Sequence, residues 1–284
     1  MDIYKSISRL YHKLRILSFD IVLGALSGGV MAVKVLDVQP RIIWWPVLAL
    51  AVWIIYTADH LIDANKLKTG ASSGRRYFYY KYFCLIVIIE IVLLIITASL
   101  SFLFFDKKII YFGVAMGIFV TVYLLLVQIK GSEKQVWLQK ELIVAIVYTV
   151  GIWAEPFIES NKIELAGILI VFLFFISVWA DILLIAFFEY EHDKQDRFIS
   201  LPIIIGKKSS MVLIKVLFVF SMFIALFVLF LNQDRNIMFA ALILLIMDMV
   251  LLISLKYQRY LIENERYRIM AESVFLLPAV MLLL

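Results

Sequence analysis

The chain has 284 residues, 64% of them hydrophobic and 17% charged, whereas a soluble domain carries about 45–50% apolar and about 25% charged residues. One core of this size cannot bury that surplus, which excludes a soluble globular domain and leaves lipid as the solvent for much of the surface. The single cysteine, Cys84, excludes an intrachain disulfide, and the net charge of +5 raises the question of a polyanionic partner.

A transmembrane helix needs about 20 mainly apolar residues, and hydrocarbon admits only helices and closed barrels because backbone polar groups must be satisfied internally. The apolar runs here are long and do not alternate, so they predict helices. In chain order they fall at 17–36, 41–62, 79–104, 109–129, 139–157, 163–188, 211–232, 236–255 and 267–284. The expected fold is therefore an all-α polytopic membrane bundle of nine spans. The run from Leu17 follows basic residues, as in a signal peptide. It contains Asp20 and lacks an A-x-A site, so it is read as a retained first span.

Span 1 carries Gly24-x-x-x-Gly28 with Ser27 and Gly29, a small face suited to close helix packing. Span 2 ends in Tyr56-Thr57-Ala58-Asp59-His60-Leu61-Ile62-Asp63, and the loop beyond it contains Gly70-Ala71-Ser72-Ser73-Gly74. Span 6 ends in Phe188-Glu189-Tyr190-Glu191-His192-Asp193-Lys194-Gln195-Asp196, with Leu201-Pro202 and Gly206 in the loop after it. Trp44, Trp45, Trp137 and Trp153 fall near span ends, where aromatic belts form. Asp20, Glu90, Asp181, Asp248 and Glu272 lie inside predicted spans, where acids are costly and face interior cavities. Such acids also suit a proton-coupled transporter.

Lysine and arginine placement sets the orientation. The N-terminal segment and the loops after spans 2, 4, 6 and 8, with their flanks, hold 21 of these residues, and the opposite side holds 6. The N-terminus is thus expected in the cytoplasm and the C-terminus outside, in what reads as a bacterial inner membrane. The same asymmetry explains the basic pI without nucleic acid.

Asp59 and Asp63 share one helix face, as do Glu189 and Asp193, with Asp196 one turn further. The two clusters lie at span ends on the same side, four spans apart. This pattern suggests one membrane domain made of a first four-helix unit (17–134), a second (135–257) and a ninth helix (267–284). Paired carboxylates repel one another, and Mg²⁺ relieves this with oxygen ligands and substrate phosphates. Two such pairs suit a diphosphate held by two or three Mg²⁺. Lys66, Arg75, Arg76, Lys140, Lys194 and Arg197 lie close in sequence and would neutralise the remaining phosphate charge. His60 and His192 neighbour these acids but supply no His/Cys set for zinc.

In these motifs the sequence resembles the UbiA superfamily of intramembrane prenyltransferases. The family pattern N-D-x-x-D-x-x-x-D matches Asp59 and Asp63 in its last two acids, with Ile55 and Tyr56 at its first two positions. The second pattern, D-x-x-x-D followed by a T-L-P-V-x-x-G-like run, matches Glu189-x-x-x-Asp193 and Ser200-Leu201-Pro202-Ile203-Ile204-Ile205-Gly206, with Glu in place of the first Asp. The resemblance implies Mg²⁺-dependent transfer of a prenyl group from a prenyl diphosphate to an acceptor. Asp59, Asp63, Glu189 and Asp193 would be the catalytic carboxylates and, with Asp196, the metal ligands. A general base is not evident, and Asp181 is a candidate. A transporter or lipid-binding protein on the same scaffold, and a terpene cyclase-like enzyme, are the alternative readings.

Overall fold

The structure, a computed structural model, describes residues 15–67, 74–129, 140–162, 164–196 and 198–284. Gly70, Ala71, Ser72, Ser73, Trp137 and Arg197 lie outside these residues, as do Lys5, Arg9, Lys13, Lys68, Lys130 and Lys134. Among the described residues there are helices and no strands. In chain order the principal helices are α1 (Phe19–Leu36), α2 (Trp44–Leu67), α3 (Gly74–Lys81), α4 (Phe83–Phe104), α5 (Lys107–Ile129), α6 (Lys140–Glu159), α7 (Leu165–Phe188), α8 (Tyr190–Gln195), α9 (Leu201–Ile205), α10 (Lys207–Leu231), α11 (Arg235–Ser254), α12 (Gln258–Ile262) and α13 (Arg266–Val274).

Eight of these, α1, α2, α4, α5, α6, α7, α10 and α11, are long and apolar enough to cross a membrane. They match the first eight expected spans to within a few residues. The expected third span breaks at Tyr82 into α3 and α4. The expected ninth, 267–284, is helical but not a single long helix. It consists of α13 followed by a 3₁₀ segment, Leu277–Leu283.

The chain divides into two compact units. The first holds residues 1–25 and 42–129. Within it α2 packs against α3, α4 and α5. Leu61, Ala64, Tyr79 and Ile86 form a buried cluster that fastens α3 to the end of α2. α4 and α5 expose nearly all of their apolar side chains (Leu103 is 75% exposed), which suits a lipid-facing surface. Trp44 is buried in this unit, so it serves packing rather than an interfacial belt.

The second unit holds residues 26–41 and 130–284. Its hub is α7, which contacts α6, α9, α10, α11 and α13. α7 buries Phe174 completely, with the rings of Tyr148, Trp153 and Phe275 centred 6.0–6.4 Å away. Trp153 is therefore a core residue too. Gly28, from the small face foreseen in α1, lies against this cluster. A Cβ built on Gly28 would sit 2.9 Å from Cζ of Phe174 and 3.4 Å from Cδ1 of Ile152. Only a glycine allows that approach.

The Ser200–Gly206 run folds as the short helix α9, with Pro202 in its first turn where no amide donor is needed. Gly206 takes φ 84°, a left-handed value that favours glycine, and links α9 to α10. The Ser200 hydroxyl does not cap α9. Instead the buried Glu141 of α6 accepts the Leu201 N–H at 2.8 Å. A carboxylate there satisfies an orphan donor and complements the positive end of the helix.

Gly28→Leu is expected to lower the stability of detergent-solubilised protein by about 1–3 kcal/mol through overpacking. Gly113→Leu should change it little, because no described residue lies within 4 Å of a Cβ there; thermal unfolding of both variants compares them. Glu141→Ala should cost about 1–3 kcal/mol by orphaning a buried amide, while Glu141→Gln, which keeps an acceptor oxygen, should recover most of it in the same measurement.

Candidate functional site

The first acidic cluster belongs to α2, which continues to Leu67 and so carries Asp59 and Asp63 on helical backbone one turn apart. Both are half-buried. The Leu61–Tyr79 packing turns α3 back along α2, which brings Arg75 to the cluster. Arg75 Nη1 lies 3.2 Å from His60 Nε2, and Nη2 donates to the Arg15 carbonyl at 3.4 Å. His60 thus has a guanidinium partner, and its ring centre lies 5.1 Å from that of Tyr79. Burial pushes the Tyr79 phenol above its ordinary pKa, opposed by the nearby Thr57 hydroxyl and Arg75. Arg76 is half-buried and Lys66 is exposed.

The second cluster sits where α7 hands over to α8. Glu189 joins the two helices, and the Asp193 N–H donates to the Glu189 carbonyl at 2.9 Å. Asp193 is buried, Asp196 half-buried, and Lys194 and His192 exposed. Lys140, at the start of α6, is half-buried, and Glu191 faces outward, 4.0 Å from Lys207. Glu189 turns the other way. Its Oε1 accepts a hydrogen bond from the Tyr267 hydroxyl at 3.3 Å and forms an ion pair with Nη2 of Arg268. Both of these charged side chains are only 13% exposed. The Tyr267 ring stacks on Phe188 with centres 5.0 Å apart, which holds α13 to the end of α7.

Sequence reasoning missed Arg268 and Tyr267 as partners of this cluster, and likewise Glu141. They lie far from it in the chain, and no local spacing signals them. Their one trace was a basic residue near the start of the last expected span.

The intramembrane acids divide. Glu90 is half-buried on α4. Asp181 and Asp248 are buried on α7 and α11, near enough to interact electrostatically, with Ser177 and Ser221 beside Asp248. Among the described residues, neither Asp248 carboxylate oxygen nor either serine hydroxyl has a well-formed hydrogen bond. Asp181 is thus a buried residue within α7, inside the span where the sequence placed it. Glu155 of α6 is buried with neither oxygen hydrogen-bonded among the described residues, a position not singled out from sequence.

The acids of both clusters offer only oxygen donors, which suits a hard cation such as Mg²⁺. Among the described residues no three His, Cys, Asp or Glu side chains converge as a ready-made metal site, and Glu189 is engaged by Arg268.

A model described as the UbiA prenyltransferase family matches residues 84–275. The matched segment includes Glu189, Asp193, Gly206 and Arg268, while Asp59 and Asp63 precede it. No curated protein matches the chain. Among solved structures, the fold is similar to a UbiA homolog from Archaeoglobus fulgidus bound to GPP and Mg²⁺, with a TM-score of 0.65 at 12% identity over 95% of this chain and 99% of that one. The same homolog bound to DMAPP and Mg²⁺ gives 0.63 at 13% identity, over 95% and 99%. A structure of digeranylgeranylglyceryl phosphate synthase gives 0.55 at 16% identity, over 97% and 98%. At these identities the likeness is one of fold. The family match covers more than half of the chain; this integral, multi-pass membrane protein belongs to the UbiA prenyltransferase family.

Proposed function

We propose that this protein is a Mg²⁺-dependent intramembrane prenyltransferase that moves a prenyl group from a prenyl diphosphate to an acceptor. The observation that carries the reading is the pair of acidic clusters, Asp59/Asp63 and Glu189/Asp193, each at a helix end on a chain of this family. The relatives solved with GPP or DMAPP and Mg²⁺ support the choice of substrate and cation.

In this mechanism the chain holds an allylic diphosphate by its head and shelters its tail. Asp59, Asp63, Glu189 and Asp193, with Asp196, would hold Mg²⁺, which when bound neutralises charge on the departing diphosphate. Lys66, Arg75, Arg76, Lys140, Lys194 and Arg197 would add positive charge to the diphosphate oxygens. The C–O bond breaks with its electron pair leaving on the diphosphate, and the acceptor's nucleophile closes on the allylic cation and releases a proton. Apolar helices exclude water that would otherwise capture the cation. The chain's Phe, Tyr and Trp side chains are of the type that stabilises a cation through ring faces. The charge asymmetry supports a cytoplasmic N-terminus and an external C-terminus. The matched position of the clusters supports two four-helix repeats, 17–134 and 135–257, with 267–284 added.

Purified protein incubated with labelled prenyl diphosphates of several chain lengths and Mg²⁺, in membranes that supply acceptors, should form prenylated product. Asp59→Ala and Asp193→Ala should each reduce turnover by at least about 100-fold, in the range seen when charge-stabilising groups are removed. Folded protein that neither binds nor consumes any of these diphosphates would sink the reading. Transport or lipid binding independent of Mg²⁺ would then stand in its place, and cyclic hydrocarbon formed without acceptor would indicate a cyclase.

A further inference from the structure

Arg268 is a charged residue that the chemistry above does not use. It sits on α13, next to the stacked Tyr267, with a side chain only 13% exposed. Its Nη2 pairs with Glu189, while its Nε is buried and has no hydrogen-bond partner among the described residues. A guanidinium offers five donors in a planar fork, so an ion pair through one nitrogen leaves capacity unused. That fork matches phosphate oxygens as well as it matches a carboxylate. The Glu189 side chain gives the cluster an arm that reaches α13.

The position is also costly if the pair is permanent. A partly buried ion pair recovers its desolvation cost only with good geometry and fully satisfied donors. Here one donor remains unsatisfied, and both proton donors to Glu189, Tyr267 and Arg268, converge on the same oxygen, Oε1. Glu189 is one of the acids assigned to the cation, so its pairing with Arg268 and its pairing with Mg²⁺ compete for one negative charge.

We propose that Arg268 is a diphosphate-binding residue, and that Glu189 is its resting partner, exchanged when the diphosphate arrives. Arg268 then pairs with phosphate oxygens, and the Glu189 carboxylate is freed for the cation. The second cluster thus takes up metal and diphosphate together rather than in succession. This inference rests on the prenyl diphosphate reading.

The test is calorimetric binding of inorganic pyrophosphate to purified full-length protein, with Mg²⁺ and with chelator in its place. Glu189→Gln removes the competitor and should tighten metal-free pyrophosphate binding about tenfold or more. Glu189→Gln combined with Arg268→Gln should lose that gain. The double variant leaves no unpaired buried charge, so it also guards against simple misfolding. Arg268→Lys keeps the cation but loses the fork, and should weaken pyrophosphate binding several-fold while thermal unfolding stays near that of the parent. Titration of Mn²⁺ into the parent protein should show tighter binding when pyrophosphate is present, and Arg268→Gln should reduce that dependence. If these variants shift only the unfolding temperature and leave pyrophosphate affinity unchanged, the ion pair is purely structural and the inference fails alone. If the parent protein binds no pyrophosphate even with Mg²⁺, the diphosphate reading fails with it.

Discussion

Hydrocarbon offers no partner to a backbone N–H or C=O, and this constraint organises the molecule. Each crossing segment must close its own hydrogen bonds, so the chain becomes a succession of helices. Polar chemistry is then tolerated mainly where helices end or where side chains turn inward. Both acidic clusters obey the rule: Asp59 and Asp63 lie in the last turns of α2, and Glu189 and Asp193 lie at the junction of α7 and α8.

Packing in the second unit follows from the demand that one apolar helix be buried on nearly every side. α7 meets α6, α9, α10, α11 and α13, and its fully buried Phe174 anchors an aromatic group that also receives Gly28 of α1. A rigid α7 gives its terminal acid a defined place. Glu189 inherits that position, and α13 is brought to it by the stacking of Tyr267 on Phe188. Glu141 acts similarly at a distance, holding the first amide of the Leu-Pro helix that follows the cluster.

The first unit uses a different device. α3 is amphipathic in effect, with Tyr79 buried against Leu61 and Ala64 while Arg75 reaches His60. A short helix after the acidic turn therefore returns a basic side chain to it. Arg75, which sequence proximity alone had suggested as a phosphate ligand, is delivered to the acids' helix end by apolar packing.

The sequence by itself determined the membrane class, the helical architecture and the places of eight spans, because transfer of long apolar runs into lipid is a local property of composition. It also determined the two acidic clusters, since i, i+4 spacing specifies a shared helix face without reference to the rest of the fold. Only the tertiary structure decided that the last segment is a broken helix, that Trp44 and Trp153 are core residues, and that Asp181 lies beside Asp248 in the core. It alone paired Glu189 with Arg268 and Glu141 with Leu201. Those pairings join residues 60 or more positions apart, through the contacts of helices with one another, and no periodicity within either segment encodes which partner it meets.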